Sequence, residues 1–252
     1  MSKGSVARQL RSVTSPLTLA RDNVLPLDDA LATVMPGGVL RRGTSVVLDG
    51  VVATSLALGL ASRASVEGSW VAFVGLDLLC LPTAEEFGLD LTHVALVDDP
   101  GDQWANVMST LVGAIDVVVT STPERIRARD GRRLAARLRE RGSVIIELKC
   151  GPRSAMQGDV VLSVDRQRWY GLGWGHGCLR SRRVTVNVSG RGAASMSRAV
   201  DLLLPGDSGR PEAVEQAAAP EVFQTYDTVA DVADLTARLA TKVAARTVEA
   251  GA

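Results

Sequence analysis

The sequence predicts an α/β domain: a mostly parallel sheet flanked by helices, with antiparallel strands added on its C-terminal side. Three observations lead there. Short apolar or β-branched runs alternate with longer mixed segments from Thr44 onward, the runs are apolar throughout rather than at every second residue, and after Lys149 they follow one another through Gly-rich turns without helical segments between them. Continuous apolarity marks a strand covered on both faces, and strand–helix alternation marks parallel crossovers.

Taken in order, strands are expected at 45–48, 71–74, 94–97, 115–119 and 144–146, with helices at 55–65, 83–87, 103–113 and 131–141. Antiparallel strands at 160–164, 168–172, 183–188 and 199–204 then finish the sheet. The stretch 205–220 is rich in Pro, Gly, Ala and acidic residues with little to bury, which reads as a linker. Beyond it Val229, Val232, Leu235, Leu239 and Val243 recur at spacings of three and four, on one face of a helix over about 228–248. The expected organisation is an N-terminal segment (1–24), the α/β domain (25–205), a flexible linker (206–227) and a C-terminal amphipathic helix (228–252).

Composition narrows the function. The 252 residues are 46% apolar and 22% charged, with 28 Lys+Arg balancing 28 Asp+Glu, enough for one aliphatic core of about 150 to 200 residues. No apolar run reaches the roughly 18 residues that span a bilayer, and the first ten residues lack the apolar stretch of a signal peptide, so a cytoplasmic protein is expected. Cys80, Cys150 and Cys178 are odd in number and widely spaced, and His93 and His176 are too few to build most zinc sites with them. Neither a disulfide scaffold nor a histidine-based metal enzyme is expected. His176, among glycines, reads as a turn residue.

The first core strand ends in Asp49-Gly50 and leads through Val51-Val52-Ala53 to Thr54, Ser55 and a helix. A phosphate loop belongs at such a place, where Gly-rich amides cradle phosphates, a lysine neutralises them and a hydroxyl reaches magnesium. Here there is no lysine and one glycine, and the loop is about three residues shorter than the eight-residue element. The missing lysine alone removes a charge-assisted contact of roughly 1.5 to 3 kcal/mol. At the end of the fourth strand Thr120 stands where a hydrolase of this architecture carries a magnesium-holding acid. Asp77 follows the second strand, either as a leftover acid or, the favoured reading, as a turn aspartate bonded to its own backbone. Gly50, Thr54, Ser55, Asp77 and Thr120 therefore outline a vestigial nucleotide pocket. No catalytic residue and no cofactor are expected.

Leu25-Pro-Leu-Asp-Asp-Ala-Leu31 with Gly37-Gly-Val-Leu-Arg-Arg-Gly43, the broken pattern at Val46-Val-Leu-Asp-Gly50, Asp116-Val-Val-Val-Thr120 with no magnesium-holding acid at its end, and the Gly-rich stretch from Trp169 to Arg183 together carry a family likeness. The chain resembles the RecA-like superfamily over about Leu25 to Pro205, and within it the ImuA type, especially the ImuA-prime branch of ATPase-deficient relatives in bacterial SOS mutagenesis cassettes. The resemblance implies a RecA-like core with a degenerate P-loop. It also implies a non-enzymatic accessory that works with an ImuB-like inactive Y-family polymerase and, indirectly, an error-prone replicative-type polymerase in translesion synthesis, nucleoid-associated after DNA damage. Two other functions compete: an ATP-binding recombinase-like enzyme using Thr54 and Ser55 as hydroxyl ligands, and a SulA-type cell-division inhibitor.

Between Ser121 and Arg153 there are ten Lys+Arg against four acids. In a chain of zero net charge that asymmetry is local and concentrated. RecA-like proteins place DNA-facing loops here, so Arg125, Arg127, Arg129 and Arg153 are candidates for phosphate contact. The alternatives are an arginine-rich solvated helix face or a surface for an acidic protein, and no aromatic residue lies among them to stack on bases. Arg180, Arg182 and Arg183 near Trp169, Tyr170 and Trp174 form a second basic and aromatic cluster. Trp169 is expected to pack in the core, and Trp174 is the candidate for a partner contact.

The apolar stripe of the C-terminal helix is marginal in water alone. It must dock on its own domain or in a partner's groove, and the linker favours the partner, with Val232, Leu235, Leu239 and Val243 as contacts. Replacing Leu235→Asp together with Leu239→Asp should abolish partner capture in a pull-down while the melting temperature of the core stays unchanged.

Overall fold

A computed structural model of the chain describes residues 23–76, 79–121, 126–151, 154–172 and 177–214. A short two-stranded ladder, β1 (Val24–Leu25) with β2 (Leu40–Arg41), brackets the one-turn helix α1 (Asp29–Ala32). The expected alternation follows: β3 (Ser45–Asp49), α2 (Ala53–Val66), β4 (Val71–Val74), α3 (Leu81–Glu86), β5 (Val94–Val97), α4 (Trp104–Leu111), β6 (Val117–Ser121), α5 (Ala128–Arg141) and β7 (Val144–Leu148). A crossover with no helix among its described residues leads to β8 (Val160–Leu172), β9 (Gly177–Gly190), β10 (Arg198–Leu203) and β11 (Glu212–Ala213).

These strands form one nine-stranded sheet in the order β11-β10-β9-β8-β3-β7-β6-β4-β5. Every pair from β8 across to β5 is parallel, and β8 to β11 are joined antiparallel. The α/β architecture expected from the sequence is the one observed.

Neighbouring residues of a strand point to opposite faces. Val46 and Leu48, Val117 and Val119, and Val144 and Ile146 pack on the side of α2, whereas Val47, Val118 and Ile145 pack on the side of α4 and α5. All nine are buried, which is why the runs are apolar at every position. Helix α2 is small-residue-rich and lies close to its surroundings. A Cβ on Gly59 would meet Leu31 and Pro211 side chains at 2.9 Å each. Helix α5 presents only a narrow buried stripe, Gly131, Leu134 and Leu138, and ends on Gly142 in the left-handed conformation, whose N–H bonds the Leu138 carbonyl.

Carboxylates fasten the strand starts. Asp116 accepts from Arg42 Nη1 at 2.8 Å and from the Trp70 N–H at 3.0 Å, and Asp159 accepts from both the N–H and the hydroxyl of Ser45 at 2.9 Å. Glu147, fully buried in β7, holds the crossover to β8: its carboxylate accepts the N–H of Ala155 at 2.6 Å, the N–H of Met156 at 2.9 Å and the Ser154 hydroxyl at 2.7 Å.

Two boundaries differ from expectation. The strands expected at 160–164 and 168–172 are a single strand, β8, with a register shift between Val164 and Arg166. The intervening polar run is compatible with pairing because β3 accompanies β8 only as far as Ser163, so beyond it β8 is an edge strand beside β9 and β10, and from Trp169 on β8 and β9 form a two-stranded arm with less to bury. Nor does the domain end near Pro205. The stretch 206–209 is a tight turn, in which the Gly206 N–H bonds Arg210 and Ser208 bonds Glu212, and it returns the chain as β11 to pair with β10. Turn residues and linker residues share a composition, so the sequence does not separate them. The remainder of the expected linker and the helix at 228–252, like the segment before residue 23, lie outside the described residues.

Replacing Glu147→Ala leaves the buried Met156 amide and the half-buried Ala155 amide without their acceptor and should cost about 3 kcal/mol, measured as a lower midpoint in urea unfolding.

Candidate functional site

The connection from β3 to α2 is only Gly50, Val51 and Val52, because the helix begins at Ala53, two residues earlier than expected. Gly50 is there for close approach: its φ is +105°, and a Cβ would stand 2.9 Å from the Val164 carbonyl oxygen on β8. The loop is pressed against the neighbouring strand, too short to wrap a phosphate chain, with Val51 pointing outward and 72% exposed.

Charged side chains at this end of the sheet are engaged within the chain. Lys149, at the end of β7, places Nζ 2.5 Å from Asp49 Oδ2 at the end of β3. Arg182, on β9, donates from Nε to the Leu204 carbonyl at 2.7 Å and from Nη2 to the Ser55 hydroxyl at 3.0 Å, with its guanidinium 4.8 Å above the centre of the Trp169 ring. The side chain is only 8% exposed, and burial pushes its pKa down to about 10. Its hydrogen-bond partners are neutral, so the ring face and hydroxyl stabilise a cation with no counter-charge in contact.

The residues of the expected nucleotide pocket therefore have other tasks. Ser55 accepts from Arg182, and Gly50 keeps the loop against Val164. Thr120 is buried on β6, accepting from Trp104 Nε1 at 2.9 Å and donating to the Ser121 carbonyl, with β7 between its strand and β3. Thr54 stands exposed in the first turn of α2, and Asp77 lies outside the described residues. Among the described residues no group of three or more His, Cys, Asp and Glu side chains could hold a metal ion, and no helix is long and apolar enough to cross a membrane.

The arginine surface is centred on α5. Arg127 precedes the helix and Arg129 opens it, both exposed, with Arg129 Nε 3.6 Å from Asp130. Arg125 and Arg153 lie outside the described residues. The structure adds what the sequence-based selection omitted. Two grooves flank the helix: one of about 640 Å³ lined by Arg132, Arg139 and Arg191 against the crossover, and one of about 420 Å³ lined by Arg133 and Arg137 against α4. Spacings of seven and four residues on a helix carried that signal, since each pair shares a face.

The second cluster divides. Arg182 is buried rather than displayed, and Trp169 is half-buried beneath it rather than in the core. Arg183 pairs with Asp201 at 2.6 Å, which holds that carboxyl below its ordinary range, while Leu172 and Leu179 are exposed near the end of the β8–β9 arm. Trp174 falls outside the described residues, as do Val232, Leu235, Leu239 and Val243.

Fold and site together define an α/β protein whose phosphate-loop position is closed by its own side chains. The family model of the MT3502 N-terminal domain matches residues 33–153, which run from the end of α1 past β7 and contain α5 with most of the lining of its two grooves. The uncharacterized protein Rv3395c of Mycobacterium tuberculosis (strain ATCC 25618 / H37Rv) is 32% identical over 144 residues, spanning 56% of this chain and 69% of that protein. The chain belongs to the same family as Rv3395c.

Replacing Gly50→Ala forces a Cβ onto the Val164 carbonyl at a positive φ and should lower stability by about 1 to 3 kcal/mol, visible as a reduced unfolding midpoint. An unchanged midpoint would mean that the loop is not held against β8.

Proposed function

We propose that the protein is a non-catalytic adaptor with a RecA-like core, of the ImuA-prime type, serving error-prone translesion DNA synthesis after DNA damage. The observation that carries this reading is the closed β3–α2 connection. An α/β scaffold of this kind has its ligand crevice at the carboxyl ends of the strands, and here that place is occupied by the Lys149–Asp49 pair and by Arg182 on Ser55. The lysine nearest this place is thus engaged by a carboxylate of the chain itself. What such a scaffold offers is surface.

In this reading the protein joins an ImuB-like inactive Y-family polymerase and, through it, an error-prone replicative-type polymerase, in the cytoplasm and at the nucleoid after damage. The C-terminal stretch with Val232, Leu235, Leu239 and Val243, together with Trp174, makes its partner contacts. Arg125, Arg127, Arg129 and Arg153 touch DNA phosphates. The exposed arginines described on α5 support a polyanion or acidic partner, since Arg127, Arg132, Arg133, Arg139 and Arg141 have no ion pair among the described residues.

The test is an affinity pull-down from DNA-damaged cells with the full chain and with a chain cut after Val214, so that β11 is kept. Recovery of an ImuB-like polymerase by the full chain and its loss on truncation is the expected result. Recovery of the tubulin-like division protein instead would replace the adaptor reading with a division-inhibitor one. ATP titrated calorimetrically at millimolar magnesium should give no saturable heat, and saturation would revive the nucleotide-binding reading.

A further inference from the structure

Helix α5 turns Leu134 and Leu138 to the sheet, and beside that stripe Arg137 extends into the groove between α5 and α4. Its guanidinium lies over Gly113, just past the end of α4, where a Cβ would come within 3.1 Å of Nη2. The Nε–H is shielded from solvent and has no acceptor among the described residues. A buried donor left this way costs about 1 to 3 kcal/mol, and native structures rarely tolerate one without a reason.

The other groups in the groove point the same way. Arg133, four residues earlier on the same face, lines it with a second guanidinium that has no partner among the described residues. The Ser109 hydroxyl is likewise uncommitted there, while the Thr110 hydroxyl already donates to the Asn106 carbonyl at 3.0 Å. One carboxylate, Asp130, also lines the groove, and it lies 3.6 Å from Arg129 Nε. Two guanidinia and a free hydroxyl therefore face one acid that already has a cation beside it.

We propose that the α4–α5 groove is a carboxylate-binding site that takes a glutamate or aspartate side chain from a partner polypeptide. Arg137 and Arg133 would donate to it in the forked geometry guanidinium groups use for carboxylates. A phosphodiester carries a sugar on each side of its oxygens, whereas a carboxylate on a slim methylene stem is the narrower group for a groove between two helices, where it meets the guanidinia and gains Nε once the Arg137 side chain turns toward it. The groove also has no aromatic face for a base to stack on. This goes beyond the adaptor reading, which shares with it only the exposed Arg133, and neither depends on the other.

The test follows the Arg137 Nε–Hε signal by NMR in the full chain, assigned by its disappearance in Arg137→Lys. The probes are the α-amide of N-acetylglutamic acid, its neutral glutamine counterpart, and sodium chloride at matched ionic strength. The acid should shift the signal saturably and the other two should not. Arg137→Lys, followed through a backbone amide of α4, should weaken binding about tenfold, the loss of one charge-assisted bond, with an unchanged melting temperature. Should that variant not fold, Ser109→Ala is expected to weaken the same titration severalfold. No response to the acid, or an equal response to chloride, overturns the proposal. Displacement of the acid by a single-stranded oligonucleotide that itself saturates the signal overturns it in favour of nucleic acid.

Discussion

Burial of the parallel sheet on both faces is the constraint on which the rest of this structure depends. Each central strand must supply one apolar residue to α2 and the next to α4 and α5, so a polar residue is admitted only with its hydrogen bonds met in full. Glu147 shows the rule, since its buried carboxylate accepts three bonds from the crossover that follows its own strand. With both faces closed, chemistry is left to the strand ends and to the outer faces of the helices.

At the carboxyl ends the chain has closed the place where ligands of such sheets bind. Gly50 lets the β3–α2 connection press on Val164, Lys149 and Asp49 cancel one another, and Arg182 takes the hydroxyl of Ser55. A buried guanidinium with only neutral acceptors and a ring face around it carries a desolvation cost, which three strands and the start of a helix share by converging on it. The outer face of α5 is the reverse case. Most of its arginines are exposed without an ion pair among the described residues because the helix needs only Leu134 and Leu138, with Gly131 against the Ala155 carbonyl, to stay attached. A thin anchoring stripe leaves most of a helix's circumference to charge.

Much of this was legible in the sequence. The strands, the crossover helices, the antiparallel strands on the C-terminal side and the concentration of arginines follow from local patterns of period and composition, and a missing lysine can be seen without coordinates. Residues beyond the described ranges, including the apolar positions from Val232 to Val243, rest on that pattern alone.

Other features depended on which segments meet. Asp49 and Lys149 are a hundred residues apart and Ser55 and Arg182 still further, so no spacing announces either contact. Arg182 and Arg183 are neighbours of the same type, yet one is buried and the other displayed, because adjacent residues of a strand face opposite sides. The return of β11 beside β10 was hidden for a related reason: Pro, Gly and Ser make a tight turn or an open linker according to whether an edge strand is waiting to pair. Local composition determined what each segment can form, and long-range contact between segments decided which charges are cancelled and which are left for a partner.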